Sequence, residues 1–425
     1  GWGAGTWGRS TWNGDADITV TSSILRIWTH DNFGEDLIIN VRDGDIFYWD
    51  TSAGTSTRSV KLSDRTNADA GTPTIAKQVI VSDVDRHVIC FGCDAVGAIG
   101  TQDPLLIRFS SQEDPTTWIP SATNTAGDLR IGSGSEIIAA VETRQQILVI
   151  TDVSVHSMQF LGPPFTFGVQ MISENITIRS PQAAVAVDDT VFWMGVQEFY
   201  VYNGSVKKLP CSVKDHVFSD FNTDQAEKVV AGVNSSFGEI WWFYPSANST
   251  ENDKYVIYNY EQQIWYIGSL TRTAWLDRGI NDFPIAAHSD NYLYNHEFGF
   301  DDGSTDGAIS AHIESSQMDI QDGDGFLFIR RILPDLTFRT STGAGSDNPA
   351  ANFILKARNF PGTNYGDPET GGVTQTSTSP IEQFTDQVHV RLRGRSFALR
   401  VESTAEGVGW RLGSPRVDIR PDGRR

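Results

Sequence analysis

The sequence has few cysteines and lacks the spacing of a metal site. Its 425 residues include three cysteines, which are too few for the disulfide framework of a small secreted protein. Cys90 and Cys93 form a single C-x-x-C within an apolar stretch, and one such pair without a second cannot complete a zinc site. We expect both to be buried strand cysteines, because free cysteine is among the most buried residue types.

Catalytic signatures are missing as well. None of the eight histidines belongs to an H-x-x-x-H or H-E-x-x-H pattern, the run IGSGSE is not a G-x-S-x-G elbow, and no G-x-x-x-x-G-K loop is present. Asp319, Asp322 and Asp324 suggest a calcium loop, but Arg330 stands at the twelfth position, where an acid is required. The sequence therefore predicts a protein that is not an enzyme, with no catalytic residue, metal site or cofactor.

Basic residues are outnumbered. The chain has 33 Lys and Arg against 53 Asp and Glu, a net charge of −20, which disfavours general affinity for nucleic acid because phosphates must be neutralised by cations. No run of about 18 apolar residues is present to span a membrane. The first residues, GWGAGTWGRSTWN, lack the apolar core of a signal peptide. We expect a chain that does not insert into a membrane.

One β unit is abundant: an apolar strand, a tight polar turn and a second apolar strand. Its six copies are LIINVRDGDIFYWD from Leu37, VIVSDVDRHVICFG from Val79, IIAAVETRQQILVIT from Ile137, AVAVDDTVFWMG from Ala184, VVAGVNSSFGEIWWFYP from Val229 and PIAAHSDNYLYN from Pro284. The first and last copies are 247 residues apart over five intervals, about 49 residues each. Because β-propeller blades repeat every 40–50 residues or so, the sequence predicts an irregular propeller of about six blades over residues 21–300.

Further elements are predicted inside the repeats. Four copies are followed by another aromatic strand, LLIRF, VHSMQF, EFYVY and KYVIY, starting at Leu105, Val155, Glu198 and Lys254. One helix is predicted over residues 212–227, where Val213, Val217, Phe218 and Phe221 share a face. An extended arm is predicted over residues 1–20. Trp2, Trp7 and Trp12 are spaced by five residues, a spacing that matches neither the helical nor the strand period.

Residues 301–425 predict a separate β-sandwich-like domain, so that the whole chain is all-β. The strands are predicted at 309–320, 326–338, 353–360, 388–393, 397–402 and 410–419. Two stretches rich in Gly, Pro, Ser and Thr, 340–352 and 361–380, predict long loops of the kind that often carries contact function.

Charge is segregated within this domain. Acids cluster at its start, as Asp301, Asp302, Asp306, Glu314, Asp319, Asp322 and Asp324, and arginines gather at its end, as Arg391, Arg393, Arg395, Arg400, Arg411, Arg416, Arg420, Arg424 and Arg425. In HVRLRGRSFALRV the arginines alternate with apolar residues, which places Arg391, Arg393 and Arg395 on one strand face. Two interpretations stay open: a solvated face with salt bridges to local acids, or an interface to the acidic segment of a neighbouring copy.

Long diffuse segments of the chain resemble one family. The segments are LRIWTHDNFGEDLIINVRDGDIFYWD (Leu25–Asp50), DTVFWMGVQEFYVYNGSVKKLPC (Asp189–Cys211), VHVRLRGRSFALRVESTAEGVGWRLGSPRVDIRPDGRR (Val388–Arg425) and the GWGAGTWG start. Together they resemble the tail nozzle proteins of short-tailed bacteriophages, and the resemblance extends over nearly the whole chain.

The resemblance implies a structural virion protein. It implies a homo-hexameric ring at the distal end of a short tail, attached to an adaptor ring protein, with tail fibre or needle proteins as further neighbours. Such a ring extends the DNA channel, retains the packaged genome and lets double-stranded DNA pass at ejection without sequence-specific binding. The chain would be made in the host bacterial cytoplasm and reside in the virion tail.

Two other functions stay open at this point. One is a receptor- or glycan-binding propeller module of the tail, which suits the aromatic content and would usually be trimeric. The other is a propeller glycosidase or polysaccharide lyase, which requires acid, base or nucleophile residues that converge in the propeller channel. The sequence spacing provides no such set, so we rank the enzyme last.

Overall fold

The computed structural model describes residues 25–83, 85–302, 307–319, 323–338, 341, 349–360 and 375–423. The arm predicted for residues 1–20 lies outside them. The chain divides into two compact units, Gly1–His296 and Glu297–Arg425. The boundary therefore falls four residues before the predicted one at residue 300.

The described residues of the first unit form six small antiparallel sheets, each a meander of strands in chain order. The first two sheets are β1 (Trp28–Phe33), β2 (Asp36–Val41), β3 (Ile46–Trp49), β4 (Val60–Lys61), and β5 (Gln78–Val81), β6 (Val88–Phe91), β7 (Leu106–Phe109), β8 (Gly127–Arg130). The third and fourth are β9 (Ile137–Glu142), β10 (Ile147–Thr151), β11 (Ser154–Gly162), β12 (Thr166–Glu174), and β13 (Ala184–Val187), β14 (Thr190–Met194), β15 (Phe199–Tyr202), β16 (Val206–Leu209). The fifth is β17 (Val230–Asn234), β18 (Glu239–Tyr244), β19 (Lys254–Asn259), β20 (Ile264–Ser269), and the sixth has three strands, β21 (Ala274–Leu276), β22 (Ile285–Ala287), β23 (Leu293–Asn295).

These sheets are the blades of a β-propeller, and all six predicted hairpins are confirmed. The hairpins are β2–β3, β5–β6, β9–β10, β13–β14, β17–β18 and β22–β23, and the four further aromatic strands are β7, β11, β15 and β19. The first strands of consecutive sheets contact one another in the order β1, β5, β9, β13, β17, β21. They therefore surround the axis, while the later strands of each sheet lie further out.

Apolar side chains fill the space between neighbouring sheets. One core cluster joins the first and second sheets, one the second and third, one the third to fifth, and an aromatic cluster around Trp241 joins the fifth and sixth. Neighbouring strands approach closely where a glycine permits it: a Cβ on Gly232 of β17 would collide with Trp275 of β21, whose indole N–H donates to the carbonyl of Val233 at 2.7 Å. Burial between sheets, rather than within one, holds the propeller together.

The predicted helix over residues 212–227 is interrupted. The structure has an α-helix, α1 (Lys214–Ser219), followed by a 3-10 helix at Thr223–Lys228. Asn222 lies between them in extended backbone, and its side chain accepts from the amide of Asp224 at 3.0 Å. A short polar side chain that binds the backbone in this way begins a new turn instead of continuing a helix. Two further 3-10 turns lie at Thr51–Ala53 and Leu62–Asp64.

The second unit contains two packed sheets that share one core, as expected for a sandwich. Its strands are β24 (Asp301–Asp302), β25 (Gly307–Ala308), β26 (Ala311–Glu314), β27 (Met318–Asp319), β28 (Leu327–Leu333), β29 (Leu336–Thr337), β30 (Ala350–Arg358), β31 (Gln375–Glu382), β32 (Val388–Gly394), β33 (Ser396–Ser403), β34 (Arg411–Leu412) and β35 (Arg416–Pro421). The larger sheet has the order β26-β33-β30-β31, with β27 also on β33, and the smaller has the order β32-β28-β35. Phe353 and Val401 of the first face Ile329 and Leu392 of the second in the common core.

The loop predictions for this unit are partly wrong. Residues 375–380, assigned to a loop, belong to β31, and residues 350–352 belong to β30. The sequence QTSTSPIE of β31 is polar because β31 is an edge strand, and edge strands tolerate proline. Residues 342–348 and 361–374 of those loops lie outside the described part of the chain. The long strands predicted at 309–320, 326–338 and 410–419 are each split into two.

Candidate functional site: the propeller axis and a basic sheet face

The two cysteines of the C-x-x-C are buried, as predicted. Cys90 lies in β6 and Cys93 just after it, and neither is exposed. Burial raises the pKa of both thiols, so neither has the thiolate character that redox or nucleophilic chemistry requires. Their neighbour Arg108 is also buried and donates to the carbonyl of Asp94 at 3.0 Å.

The carboxylates considered for calcium do not assemble into a site within the described residues. Asp319 and Asp324 are exposed, and Asp322 lies outside the described part of the chain. Over that part, no group of three or more His, Cys, Asp or Glu side chains is arranged to hold a metal ion. Among the described residues there is also no helix of the length and apolarity needed to cross a membrane.

Charged side chains from three sheets meet at one end of the propeller axis. Lys77, just before β5, contacts Asp43 of the first sheet at 3.0 Å and Glu136 before β9 at 2.7 Å. Gln102 donates to the same Asp43 carboxylate at 2.8 Å. Burial opposes ionisation of Asp43, but the hydrogen bonds from Gln102 and Lys77 outweigh it and lower its pKa. We call Arg42, Asp43, Lys77, Gln102 and Glu136 the axial cluster.

Arg42 extends the axial cluster across the axis. Its guanidinium donates to the carbonyls of Ile138 at 3.0 Å and Ile137 at 3.4 Å, although the second sheet lies between its own sheet and theirs. Burial lowers the Arg42 pKa, and the carboxylates of Asp43, Glu136 and Glu227 raise it, the last from the 3-10 helix that precedes β17. A side chain that reaches from the first sheet to the third, and is influenced by a carboxylate just before the fifth, occupies this end of the axis.

The opposite end of the axis is acidic. Asp31 of β1 accepts from the amide of Val81 at 2.8 Å, and Glu142 at the end of β9 accepts from the amide of Asp83 at 3.2 Å. Burial, together with the charges of Asp83 and Asp31, raises the pKa of Glu142 to about 7, and burial likewise raises the pKa of Asp31. We call Asp31, Asp83 and Glu142 the carboxylate cluster.

Glu142→Gln is expected to remove a pH dependence of stability. In the folded chain Glu142 has a pKa of about 7 against an ordinary 4.5, so the native state binds its proton more tightly than the unfolded state does. That stabilisation is complete below pH 4.5 and is lost as the pH rises through 7. Glutamine mimics the protonated acid, so E142Q should be more stable than the wild type at pH 8 by about 1–2 kcal/mol after allowance for solvent screening.

The measurement is the unfolding free energy of both proteins at pH 4.5 and pH 8. The difference should be present at pH 8 and absent at pH 4.5. The matched control is Glu174→Gln, at an exposed position of β12, which should show no such difference. An E142Q effect of equal size at both pH values would contradict the assignment.

The outer face of the smaller sandwich sheet is basic. Apolar residues such as Ile329, Leu392 and Ile419 point from its three strands into the core, so the alternate residues form the other face. On that face β28 contributes Arg330 and Arg331, β32 contributes Arg391 and Arg393, and β35 contributes Arg416 and Arg420. These six residues are the basic face. Asp418 of β35 lies on the same face and pairs with Arg331 at 3.8 Å, so the arginines outnumber the carboxylates there although the chain has a net charge of −20.

Of the three arginines predicted to lie on one strand face, Arg391 and Arg393 share the outer face of β32, whereas Arg395 follows the end of that strand. Arg393 binds Asp422 at 2.6 Å and lies 3.9 Å from the centre of the Phe326 ring. Arg395 lies 5.0 Å from that ring and donates to the carbonyl of Asp324 at 3.4 Å. Arg393 and Arg395 therefore have partners within the chain, which fits the first of the two interpretations given above. The side chain of Arg391, in contrast, is exposed.

The acidic and basic ends of this unit also meet within the chain. Arg400 contacts Glu314 at 3.4 Å and Glu402 at 2.6 Å. Part of the pairing hypothesised between neighbouring copies is therefore satisfied inside one chain. Four arginines of the basic face are exposed, Arg330, Arg391, Arg416 and Arg420. The last three belong to the arginines of the intersubunit hypothesis and remain the residues to which it applies.

Sequence reasoning missed Arg330, Arg331 and the whole axial cluster. The alternation in RVDIRP (Arg416–Pro421) carried a signal for β35, since it repeats the pattern recognised in HVRLRGR. Arg42, Lys77 and Glu136 carried no such signal, because they lie in different repeats and meet only when the sheets surround the axis.

Comparison with known proteins identifies no family for the chain. No protein-family model matches the chain, and no curated protein matches it. Among solved structures, the CNH domain of AfRom2 is 11% identical with a TM-score of 0.35, covering 63% of this chain and 83% of that one. BamB from Moraxella catarrhalis is 12% identical with a TM-score of 0.33, covering 63% and 81%.

A third similar structure is the extracellular domain of a putative one component system from B. thetaiotaomicron. It is 11% identical with a TM-score of 0.38, and the likeness covers 64% of this chain. The chain spans about a third of the length of that protein, 32%.

Proposed function

We propose that the chain is a structural protein of a phage tail, a nozzle subunit that forms a homo-hexameric ring around a DNA channel. The proposal starts from the sequence resemblance described above. The observation that carries it furthest is the combination of an acidic chain with one concentrated basic face, Arg330, Arg331, Arg391, Arg393, Arg416 and Arg420. A ring requires two different surfaces that complement each other head to tail.

The propeller axis is not the DNA path in this proposal. Arg42 spans one end of the axis to reach Ile138, and Lys77 with its two carboxylate partners occupies the same end. A duplex whose major groove alone is about 12 Å wide cannot pass where one side chain bridges two sheets. The channel therefore lies between subunits, and the axial cluster serves the stability of the propeller.

The charge of the chain suits a channel wall. With 53 acidic against 33 basic residues, six copies surround the axis of the ring with negative charge. Such a wall repels phosphates, so DNA slides without binding, and the few arginines are reserved for subunit contacts. In this scheme the basic face binds the acidic surface of the next copy.

The experiment that tests the proposal is electron microscopy of intact virions and of the purified chain. Six copies in a ring around an axial channel at the tail tip are expected. A trimer displayed off the axis would overturn the proposal in favour of receptor binding. A chain that is absent from the virion and free in solution would overturn both.

Charge reversal at the basic face is expected to prevent ring assembly. The variant Arg391→Glu, Arg416→Glu, Arg420→Glu changes three exposed residues and leaves Arg393 with its partner Asp422. The attraction between copies becomes repulsion, so the association constant of each interface should fall by more than tenfold, which corresponds to about 1.4 kcal/mol or more per interface, and the hexamer should be lost. Analytical ultracentrifugation at low and high salt measures the result.

The control carries the same change of net charge elsewhere. Arg58→Glu, Arg86→Glu, Arg278→Glu alters three exposed arginines of the propeller unit and should still assemble. If both triple variants form hexamers with wild-type salt dependence, the basic face is not the interface.

A second candidate function is attachment to a host surface through the β11–β12 hairpin. The pairing of β10 with β11 ends at Met158 of β11. Beyond that residue, β11 and β12 extend past the sheet as a two-stranded hairpin. Its tip exposes Leu161 and Phe165, the latter with 72% of its surface accessible. Exposed aromatic surface suits a glycan or receptor, and the trimer outcome of the electron microscopy would favour this function.

A further inference from the structure

The tip of the β11–β12 hairpin is a continuous exposed apolar segment. Residues 160–165 read FLGPPF, and the side chains of Phe160, Leu161 and Phe165 are 40%, 59% and 72% exposed. Single exposed apolar residues are normal on a protein surface, whereas a continuous projecting group of them indicates a contact surface. The tip is therefore a surface that a partner covers.

The hairpin around the tip carries no charged side chain. The run from Val153 to Ser173 contains no Asp, Glu, Lys or Arg, and it is the longest such run in a sequence of which 20% is charged. Its one histidine, His156, is buried, which lowers its pKa and keeps it neutral. Contacts between proteins have a polar rim where charges select the partner, whereas any charge is costly in an apolar lipid phase. The composition therefore favours a lipid surface over a protein groove.

The backbone of the tip also suits an apolar phase. None of its three turn residues has a free N–H: Pro163 and Pro164 have none to donate, and the amide of Phe165 donates to the carbonyl of Gly162 at 3.2 Å. Gly162 then pairs with Thr166 across the hairpin. A segment that enters hydrocarbon must satisfy its donors internally, because no water is there to accept from them. The turn meets this condition.

The base of the hairpin is held on the second sheet. Phe167 is buried, and its ring centre lies 4.9 Å from that of Phe109 and 5.2 Å from that of His87. The Thr166 hydroxyl donates to the carbonyl of Thr125 at 3.2 Å. The tip is thus presented on a fixed support, which reduces the ordering cost of binding.

We propose that residues 160–165 insert into the apolar part of a lipid bilayer and anchor the propeller to its surface. The expectation of a chain that does not insert into a membrane was based on the lack of a spanning segment, which a shallow insertion does not need. The proposal rests on the second candidate function, attachment to a host surface, and names a bilayer as the partner in place of a glycan or receptor. It does not depend on the hexameric ring.

Flotation of the full chain with phosphatidylcholine vesicles tests the proposal. The wild type should float with the vesicles, and Leu161→Ser, Phe165→Ser should lower the partition coefficient about tenfold or more, because two apolar side chains are lost from the lipid phase. The matched control, Leu276→Ser, Phe237→Ser, removes the same two side-chain types from positions 60% and 51% exposed elsewhere in the propeller and should bind like the wild type. A wild type that does not float, or an equal loss in both variants, would overturn the proposal.

The lipid composition provides a second readout. Because the chain has a net charge of −20, anionic phosphatidylglycerol in the vesicles should weaken binding at low salt and have little effect at high salt. Binding that requires the anionic lipid would contradict anchoring by apolar side chains.

Fluorescence of a labelled tip distinguishes insertion from contact with a polar surface. Phe165→Cys in a Cys211→Ser background takes an environment-sensitive dye, since Cys90 and Cys93 are buried. A quencher on the lipid acyl chains should reduce its emission, and iodide in the water should not. The control Phe237→Cys should respond in the opposite way. Quenching of the tip by iodide alone would overturn insertion.

The outcome is separate from that of the electron microscopy. Hexameric rings whose tips do not bind vesicles would overturn the lipid anchor and leave the nozzle. Vesicle binding by a chain that is absent from the virion would support the anchor and overturn the nozzle.

Discussion

Trp242→Ala is expected to lower the unfolding free energy of the propeller unit by about 3–5 kcal/mol. Trp242 is fully buried in β18 of the fifth sheet, and its indole N–H donates at 3.0 Å to the carbonyl of Ala183, next to β13 of the fourth. Its ring lies 5.0 Å from Phe199 and 6.1 Å from Trp265. The substitution therefore opens a cavity at the junction of two sheets and removes one of the two hydrogen bonds that the Ala183 carbonyl accepts, the other coming from the amide of Met194 at 3.2 Å.

Urea denaturation followed by far-ultraviolet circular dichroism measures this loss. The control is Trp28→Ala, which removes the same side chain from a position 49% exposed and should cost well under half as much. A loss at Trp242 no larger than the loss at Trp28 would show that the aromatic junction does not hold the sheets together.

Lys77→Met is expected to cost about 2 kcal/mol, although methionine keeps most of the apolar stem. The lysine side chain is 8% exposed and joins Asp43 to Glu136, and therefore the first sheet to the third. Breaking a fully buried pair costs about 3–5 kcal/mol. The expected loss for Lys77→Met is lower because the two carboxylates are 47% and 41% exposed. Water can therefore solvate their charges in part once the lysine is gone.

Lys61→Met is the matched control for this substitution. Lys61 pairs with Asp45 at 3.0 Å, but its side chain is 49% exposed, and exposed ion pairs contribute about 0–1 kcal/mol. The loss at Lys77 should also change little between low and high salt, because buried pairs are screened less. Equal losses for the two variants would mean that the axial cluster does not stabilise the propeller.

The hairpins could be predicted from sequence because their signals are local. In AVAVDDTVFWMG the apolar runs and the intervening Asp-Asp turn lie within twelve residues, and the structure pairs them as β13 and β14. The fourth strands could not be predicted in this way. The strands β8 (GDLR) and β16 (VKKL) lie at sheet edges and expose polar side chains. Their composition therefore resembles that of a loop.

The candidate site was less accessible to sequence reasoning because it depends on closure. Arg42 and Ile138 are about a hundred residues apart and meet only through the arrangement of three sheets around an axis. Only part of the basic face could be predicted from sequence, namely Arg391 and Arg393, which alternate with apolar residues within one strand. Arg330 and Arg331 join them only because β28 pairs with β32, and non-local strand pairing has no sequence signature of its own.

The two units differ in how far along the chain their strands find partners, and this orders their folding. Every described sheet of the propeller is made of strands consecutive in sequence, so each can form as soon as its own segment has left the ribosome. In the second unit β26 pairs with β33 and β28 pairs with β35. The edge of β26 must therefore wait for some eighty residues more before it gains its partner β33, and β28 for about 55 residues before it gains its first partner, β32. During that interval the apolar faces of β28 and β30 are exposed, which makes the second unit the part of a growing chain most in need of protection from aggregation.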